Sequence, residues 1–277
     1  MVITRLGAGV DRDRRLAPEA VSRTLAVLEG FREVMDAHSV KRVRAAATSA
    51  VRDAANGADF LAGACRVLGQ APELLSGEDE GRLSFRGATG ALGDAEADPV
   101  LVVDIGGGST ELVLGRPADP DHARVVSVDI GCVRVTERFL ASDPPRAEEL
   151  AAARAGVDEL LGRAAGPLGD TGRARRLIGL AGTVSAAAVL DAGVPEYRYE
   201  CVHHHVLSRG RVSALLARLA ALDHAGRLEV PGLEPERADV IVGGLVVLVT
   251  LMERFGYAEC LASEADILDG LVQSLLT

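Results

Sequence analysis

The sequence predicts an α/β fold in two domains, on three observations. The chain has 277 residues, more than a single hydrophobic core ordinarily holds. Segments with strand character alternate with helical ones along its length. One strand, Pro99 to Asp104 (PVLVVD), is a continuous apolar run, which marks a strand covered on both faces. A shift in composition at Gly93 to Pro99 (GDAEADP) puts the boundary there, with a first domain over 1–97 and a second over 98–277.

Met1 to Gly7 reads as a strand. Pro18 to Ser39 opens on proline and repeats Val21, Leu25, Leu28, Phe31 and Met35 at helical spacing, so it is a helix. Val40 to Ala47 is expected as a strand, Ser49 to Leu68 as a helix broken near Asn56–Gly57, Glu73 to Ser76 as a short strand, and Glu78 to Gly90 as a helix. After the apolar run come glycines, then strands over Glu111 to Gly115 and Arg124 to Ile130. Helices are expected at Val133 to Leu140 and Arg146 to Ala164. Arg176 to Leu180 is a strand feeding a helix that ends at Leu190. His205 to Leu207 is extended, Arg211 to Ala221 helical, and Pro235 to Phe255 one long apolar helix. A strand at Glu259 to Ala262 and a helix over Ala265 to Leu276 close the pattern.

Composition narrows the function. Aromatic residues are 3% of the chain and tryptophan is absent, so a base-stacking nucleic-acid platform has little to build on. The net charge of -10 also argues against a protein that grips nucleic acid through its phosphates. It leaves room for a small polyanionic substrate, because a cleft can be locally positive on an acidic protein. Cys65, Cys132, Cys201 and Cys260 are too scattered for a paired metal motif and read as small buried hydrophobes. The start, MVITRLGAGVDRDRR, has no apolar signal segment, and the longest apolar run, Val240 to Met252, is too short to span a bilayer. A cytoplasmic protein with no membrane partner is the expectation.

Five segments carry chemistry. In Asp104-Ile105-Gly106-Gly107-Gly108-Ser109-Thr110-Glu111 a buried strand ends in a carboxylate, three glycines follow, and a second strand begins. Glycines let backbone N–H groups close on an anion, the Ser109 and Thr110 hydroxyls can add donors, and a carboxylate at the strand end can hold a divalent cation against phosphate. A bare Gly-Gly-Gly would read as an ordinary hairpin; the flanking Asp and Ser-Thr-Glu favour phosphate. The spacing is neither GxxxxGK[ST] nor a GxGxxG that opens a helix, which sets aside Walker and Rossmann sites. Ser76-Gly77-Glu78-Asp79-Glu80 places three carboxylates at a helix start, where the dipole alone favours one or two, and where one can serve as general base. Ala47-Thr48-Ser49-Ala50-Val51-Arg52 is a strand-to-helix junction whose arginine could fork onto phosphate. Gly179 to Thr183 and Glu236 to Asp239 with Gly243-Gly244 are either site segments or packing glycines. His203-His204-His205 invites a metal reading, but adjacent histidines do not readily share one ion.

Taken in order, ATSAVRDAAN, SGEDEGRLSF, VVDIGGGSTELVLG, IGLAGTV, ERADVIVGG and SEADILDG span almost the whole chain and resemble the exopolyphosphatase and guanosine-pentaphosphate phosphohydrolase family, in the short two-domain form found in actinobacteria. The resemblance implies the duplicated actin-like, sugar-kinase and Hsp70-type fold, built from ribonuclease H-like units. It implies removal of terminal phosphate from inorganic polyphosphate, or hydrolysis of pppGpp to ppGpp, with Mg²⁺ or Mn²⁺. The family's catalytic glutamate falls on Glu80, its phosphate-binding arginine on Arg52, and its metal-linked carboxylates on Asp104 and Glu111. Gly106, Gly107, Gly108, Ser109 and Thr110 fall on the phosphate loop. A homodimer is implied by the resemblance alone. Departures from the family pattern are Asp79 for a usual Glu and Ala265 for a frequent His. The family's opening strand, its first loop DxGTNSxR and its second strand have no counterpart, so the first domain is expected to be N-terminally truncated. That leaves a mis-assigned start, a truncated enzyme, or a non-catalytic polyphosphate or nucleotide binder as readings.

Overall fold

A computed structural model describes residues 2–90, 92 and 98–276. The chain divides into two compact units, Met1–Gly77 with Ser274–Thr277, and Glu78–Gln273. The split falls after the first residue of the helix Gly77–Gly90, because that helix packs on the sheet of the second unit through Phe85 and Ala88. The boundary expected at 93–99 lies largely on residues 93–97, outside the described residues.

The first unit holds helices Val10–Asp13, Pro18–Ala37, Ser49–Arg52 and Gly57–Leu68, with β1 (Ala46–Ala47) paired in parallel to β2 (Glu73–Leu74). Val10, Leu16, Val51, Ala54, Phe60 and Ala64 form its core, and Leu6, Val21, Leu25 and Leu28 pack around them. Asn56 clasps the Leu16 backbone both ways: its Oδ1 accepts from the amide at 2.8 Å and its Nδ2 donates to the carbonyl at 3.0 Å. The strand expected at Met1 to Gly7 is not found over residues 2–7. Arg5 takes a left-handed φ of 55°, and a turn leads into the first helix, so Leu6 serves the core rather than a ladder. The strand expected over Val40 to Ala47 shrinks to Ala46–Ala47, the two residues that find a parallel partner.

The second unit is a six-stranded sheet in the order β5-β4-β3-β6-β8-β7. Its strands are β3 (Val100–Ile105), β4 (Thr110–Arg116), β5 (Asp119–Val128), β6 (Arg176–Leu180), β7 (Val206–Ser208) and β8 (Glu259–Ala262). β3, β4 and β5 form an antiparallel meander, β6 and β8 run parallel to β3, and β7 closes the edge antiparallel to β8. Side chains alternate across β3. Leu101, Val103 and Ile105 enter the large core beneath helices Ala147–Leu168, Ala181–Ala192, Arg209–Ala220 and Ile241–Arg254. Val100 and Val102 face the other way, onto Phe85 and Ala88 of the helix Gly77–Gly90.

The helix expected over Pro235 to Phe255 is broken. Pro235–Arg237 is a single 3₁₀ turn, and the α-helix runs over Ile241–Arg254. That helix is buried all round from Ile241 to Met252, so it shows no polar stripe to mark its start. Glycine sets how closely the helix Gly77–Gly90 meets the C-terminal segment. A Cβ on Gly87 would lie 1.8 Å from the Asp266 carbonyl oxygen, and one on Gly270 would lie 2.1 Å from that of Leu83.

Candidate active site

β3 carries the first carboxylate to the end of a fully buried strand. Alternation that sends Val100 and Val102 toward the helix Gly77–Gly90 sends Asp104 the same way. In the antiparallel register Asp104 stands directly opposite Glu111 on β4. Such partners hold their Cβ atoms about 5 Å apart, and like charges there repel. Glu80 lies in the first turn of the helix laid over this face. A Cβ on its neighbour Gly81 would sit 3.6 Å from the Glu111 Cβ. All three carboxylates are buried: Glu80 is 8%, Asp104 9% and Glu111 1% exposed.

Electrostatics follow from that crowding. Burial pushes the Asp104 carboxyl up to about 6, opposed by a hydrogen bond from Ser84 and reinforced by the charge of Asp266. Burial also pushes Glu111 well above the usual carboxylate range, with repulsion from Glu80 and then Asp104 adding to it. Hydroxyls hold the carboxylates from behind. Ser84 Oγ donates to Asp104 Oδ2 at 2.7 Å, and Ser127 Oγ donates to Glu111 Oε1 at 2.7 Å.

The glycine turn joins the two strands. The Gly106 amide donates to the Ser109 carbonyl at 3.0 Å and closes it. The first amides of the helix Cys132–Phe139 hold the turn from outside: Cys132 donates to the Gly106 carbonyl at 2.9 Å and Val133 to that of Gly107 at 3.0 Å. With its carbonyls drawn to that helix, the turn is left to offer N–H groups on its other side. Gly131 makes this approach possible, since a Cβ there would lie 2.3 Å from the Gly107 oxygen.

The expected site residues therefore divide. Glu80, Asp104, Glu111 and the Gly106-Gly107-Gly108 turn come together in the second unit. Ser109 is buried and its hydroxyl engages Glu111. Thr110 is fully buried and its Oγ1 donates to the Ile130 carbonyl at 2.6 Å, so its hydroxyl braces the strands rather than facing a ligand. Arg52 belongs to the first unit, where its Nη1 donates to the Leu75 carbonyl at 2.7 Å. Two further segments meet: a Cβ on Gly182 would lie 1.7 Å from Arg237 Nη1, so the arginine of Glu236-Arg237-Ala238-Asp239 rests on the helix start after β6. Ser84 and Asp266 lie within the motifs SGEDEGRLSF and SEADILDG but carry no role in the sequence alone, and Ser127 and Gly131 do not stand out there. Their signal lies in strand and helix register, which becomes visible only once the elements are paired.

Among the described residues no three His, Cys, Asp or Glu side chains converge on a preformed metal cage. That is compatible with Mg²⁺, which keeps several waters and is commonly bound by one or two carboxylates together with substrate phosphates. The donors present are all hard oxygens, and the buried repulsion between Asp104 and Glu111 is of the kind a cation relieves. The residues therefore fit such an ion. Also among the described residues, no helix is long and apolar enough to cross a membrane.

Exopolyphosphatase 2 of Mycobacterium tuberculosis is 42% identical over 284 residues, covering 99% of this chain and 87% of that protein. The solved structure of the Ppx/GppA family member of Aquifex aeolicus superposes with a TM-score of 0.80 at 30% identity, covering 99% of this chain and 87% of that one. An exopolyphosphatase from Cytophaga hutchinsonii gives 0.87 at 27% identity, over 98% of this chain and 86% of that one. These neighbours bear out the actin-like α/β fold, and the order β5-β4-β3-β6-β8 is its ribonuclease H-like sheet. The model of the Ppx/GppA phosphatase family matches residues 1–277, and with the buried carboxylates and glycine turn in place the chain belongs to that family.

Proposed function

We propose that this protein is an exopolyphosphatase, releasing the terminal phosphate of inorganic polyphosphate. The observation that carries the reading is the cross-strand pair Asp104–Glu111, buried beside a glycine turn and facing Glu80. An isolated acidic pair inside a sheet is costly. It becomes useful where a cation and a phosphate chain arrive together.

In the proposed reaction Asp104 and Glu111 would hold Mg²⁺, or Mn²⁺ in its place, which when bound neutralises charge on the phosphate oxygens. The amides of Gly107 and Gly108 bind the terminal phosphate, and Arg52, assigned by family motif, serves as a further phosphate ligand. Glu80 positions a water and accepts its proton. The water oxygen bonds to the terminal phosphorus as the bridging P–O bond breaks, and the shortened chain leaves on that oxygen.

The test is phosphate release from polyphosphate by purified protein with Mg²⁺, repeated after chelation. Glu80→Gln should lower kcat by at least about 10²-fold; equal rates would remove Glu80 from the mechanism. The cytoplasm is the proposed compartment, and self-association into a dimer is read by light scattering, with a single-chain mass counting against it.

A further inference from the structure

A contact beside the carboxylates, rather than among them, governs where Glu80 stands. Gly81, the next residue, is buried and faces the sheet. A Cβ there would lie 2.5 Å from Val125 Cγ1, 3.1 Å from Val113 Cγ2 and 3.6 Å from Glu111 Cβ. Val113 stands opposite Val125 across β4 and β5, and Glu111 stands opposite Ser127. Side chains alternate along a strand, so Val113 and Val125 share a face with Glu111 and Ser127, two residues along. The first turn of the helix Gly77–Gly90 therefore lies on a valine pair immediately next to the carboxylate that Ser127 holds.

The later turns of that helix have little room to move. Ser84 Oγ donates to Asp104 Oδ2 at 2.7 Å, and Phe85 is fully buried. Gly87 approaches the Asp266 carbonyl, and Gly270 the Leu83 carbonyl, too closely for a Cβ on either glycine. Val125 does not readily turn aside either. It packs against the cluster around Phe85, and a β-branched side chain is stiff at χ1. Carbon atoms pack at about 3.5–4.0 Å, so a methyl group at position 81 would lack about 1 Å of room. The part of the helix left to yield is its first turn, which carries Glu80.

We propose that Gly81 and Val125 are positioning residues for the hydrolysis: the bare backbone of one and the methyl groups of the other together fix how far Glu80 stands from Asp104 and Glu111. The proposal rests on the phosphatase reading of that site. Neither residue carries a reactive group, and both act through Glu80. A misplacement of about 1 Å can cost about 10²-fold in rate, so this contact works on the scale that decides turnover.

The full chain is assayed with polyphosphate and Mg²⁺ as wild type, Gly81→Ala, Val125→Ala and the double variant, and crystal structures of the same four are compared. In Gly81→Ala, kcat should fall at least about tenfold. KM and Mn²⁺ affinity should stay within about twofold, because Asp104 and Glu111 remain on the sheet. Glu80 Cα should stand about 1 Å farther from that of Glu111. Val125→Ala removes the clashing methyl group, so the double variant should recover kcat to within about threefold of Val125→Ala alone, although its Tm is the lower for the lost packing. A loss of stability alone predicts the reverse, a double variant worse than either single one. The proposal is overturned by an unmoved Glu80 in Gly81→Ala, by kcat within about twofold of wild type there, by metal affinity lost along with kcat, or by a defect that Val125→Ala deepens. If wild type releases no phosphate from polyphosphate, the phosphatase reading falls, and the position of Glu80 in the four structures still decides whether this pair sets it.

Discussion

Ser84→Ala tests whether the buried hydroxyls serve the carboxylates. Ser84 is fully buried and its Oγ lies 2.7 Å from Asp104 Oδ2. A hydrogen bond to a charged acceptor contributes about 1.5–3 kcal/mol, and burial, which pushes the Asp104 carboxyl up to about 6, works against that charged form when no cation is near. The bond should therefore count most with a divalent ion bound. Removing an outer-shell partner of this kind ordinarily costs about 10–100-fold in metal affinity, which is about 1.4–2.7 kcal/mol. Deleting one hydroxyl leaves almost no cavity, so the fold should hold. The assay is a Mn²⁺ titration followed by electron paramagnetic resonance, with Mg²⁺ competition, run beside a melting curve. Ser127→Ala, which removes the corresponding bond to Glu111, should behave alike. Affinities within twofold of wild type for both variants would refute the idea that these serines position the carboxylates.

Other outcomes follow from packing. Gly131→Ala puts a Cβ 2.3 Å from the Gly107 oxygen and 2.7 Å from that of Gly106; phosphate release should fall more than tenfold, by about 1.4 kcal/mol or more, and the melting temperature should fall with it, because backbone must shift to make room. Gly87→Ala drives a Cβ onto the Asp266 carbonyl, and chemical denaturation should show a loss of about 1–3 kcal/mol. Asp143→Asn weakens the partner of buried Arg227, whose Nη2 lies 2.6 Å away. Burial raises the Asp143 carboxyl, but the His224 amide and Arg227 outweigh it and hold it below the usual value. Its contribution is therefore complete above the unfolded carboxyl value of about 3.9 and lost as pH falls through the lower folded one. Because Asp143 is 44% exposed, the expected loss at pH 7 is about 1 kcal/mol after screening, and wild type and variant should converge in acid.

Much of the second unit was legible because its signals are local. PVLVVD needs no partner to announce a strand buried on both faces, and β6 and β8 were read to the residue. The first unit was less so. Val40 to Ala47 has strand composition, but a ladder needs a neighbour, and only Ala46–Ala47 have one. Helices Val10–Asp13, Tyr199–Val202 and His224–Leu228 are too short for a period to show. At the site, the sequence pointed to Glu80, Asp104, Glu111 and the glycines by motif. Thr110 shows the limit of motif reading, since a hydroxyl beside a glycine turn looks like a donor to phosphate, and here the register turns it onto Ile130. It missed Gly131, because the reason for that glycine is 24 residues away at Gly107.

The carboxylate cluster also explains its own scaffold. Asp104 and Glu111 face each other inside a sheet, where apolar partners would stabilise the fold more. What surrounds them is a set of hydroxyls at Ser84, Ser109 and Ser127, with the start of a helix nearby. Hydroxyls suit a site whose charge changes, because each can donate to a carboxylate without fixing it in an ion pair. An arginine here would have satisfied the acids permanently and excluded a metal. The sheet thus tolerates local repulsion, and the large apolar core on its other face, from Leu101 and Val103 to the buried helix Ile241–Arg254, supplies the stability that permits it. The division of labour follows strand alternation: odd residues of β3 hold the fold together, and the last even one, Asp104, is the one proposed to carry chemistry.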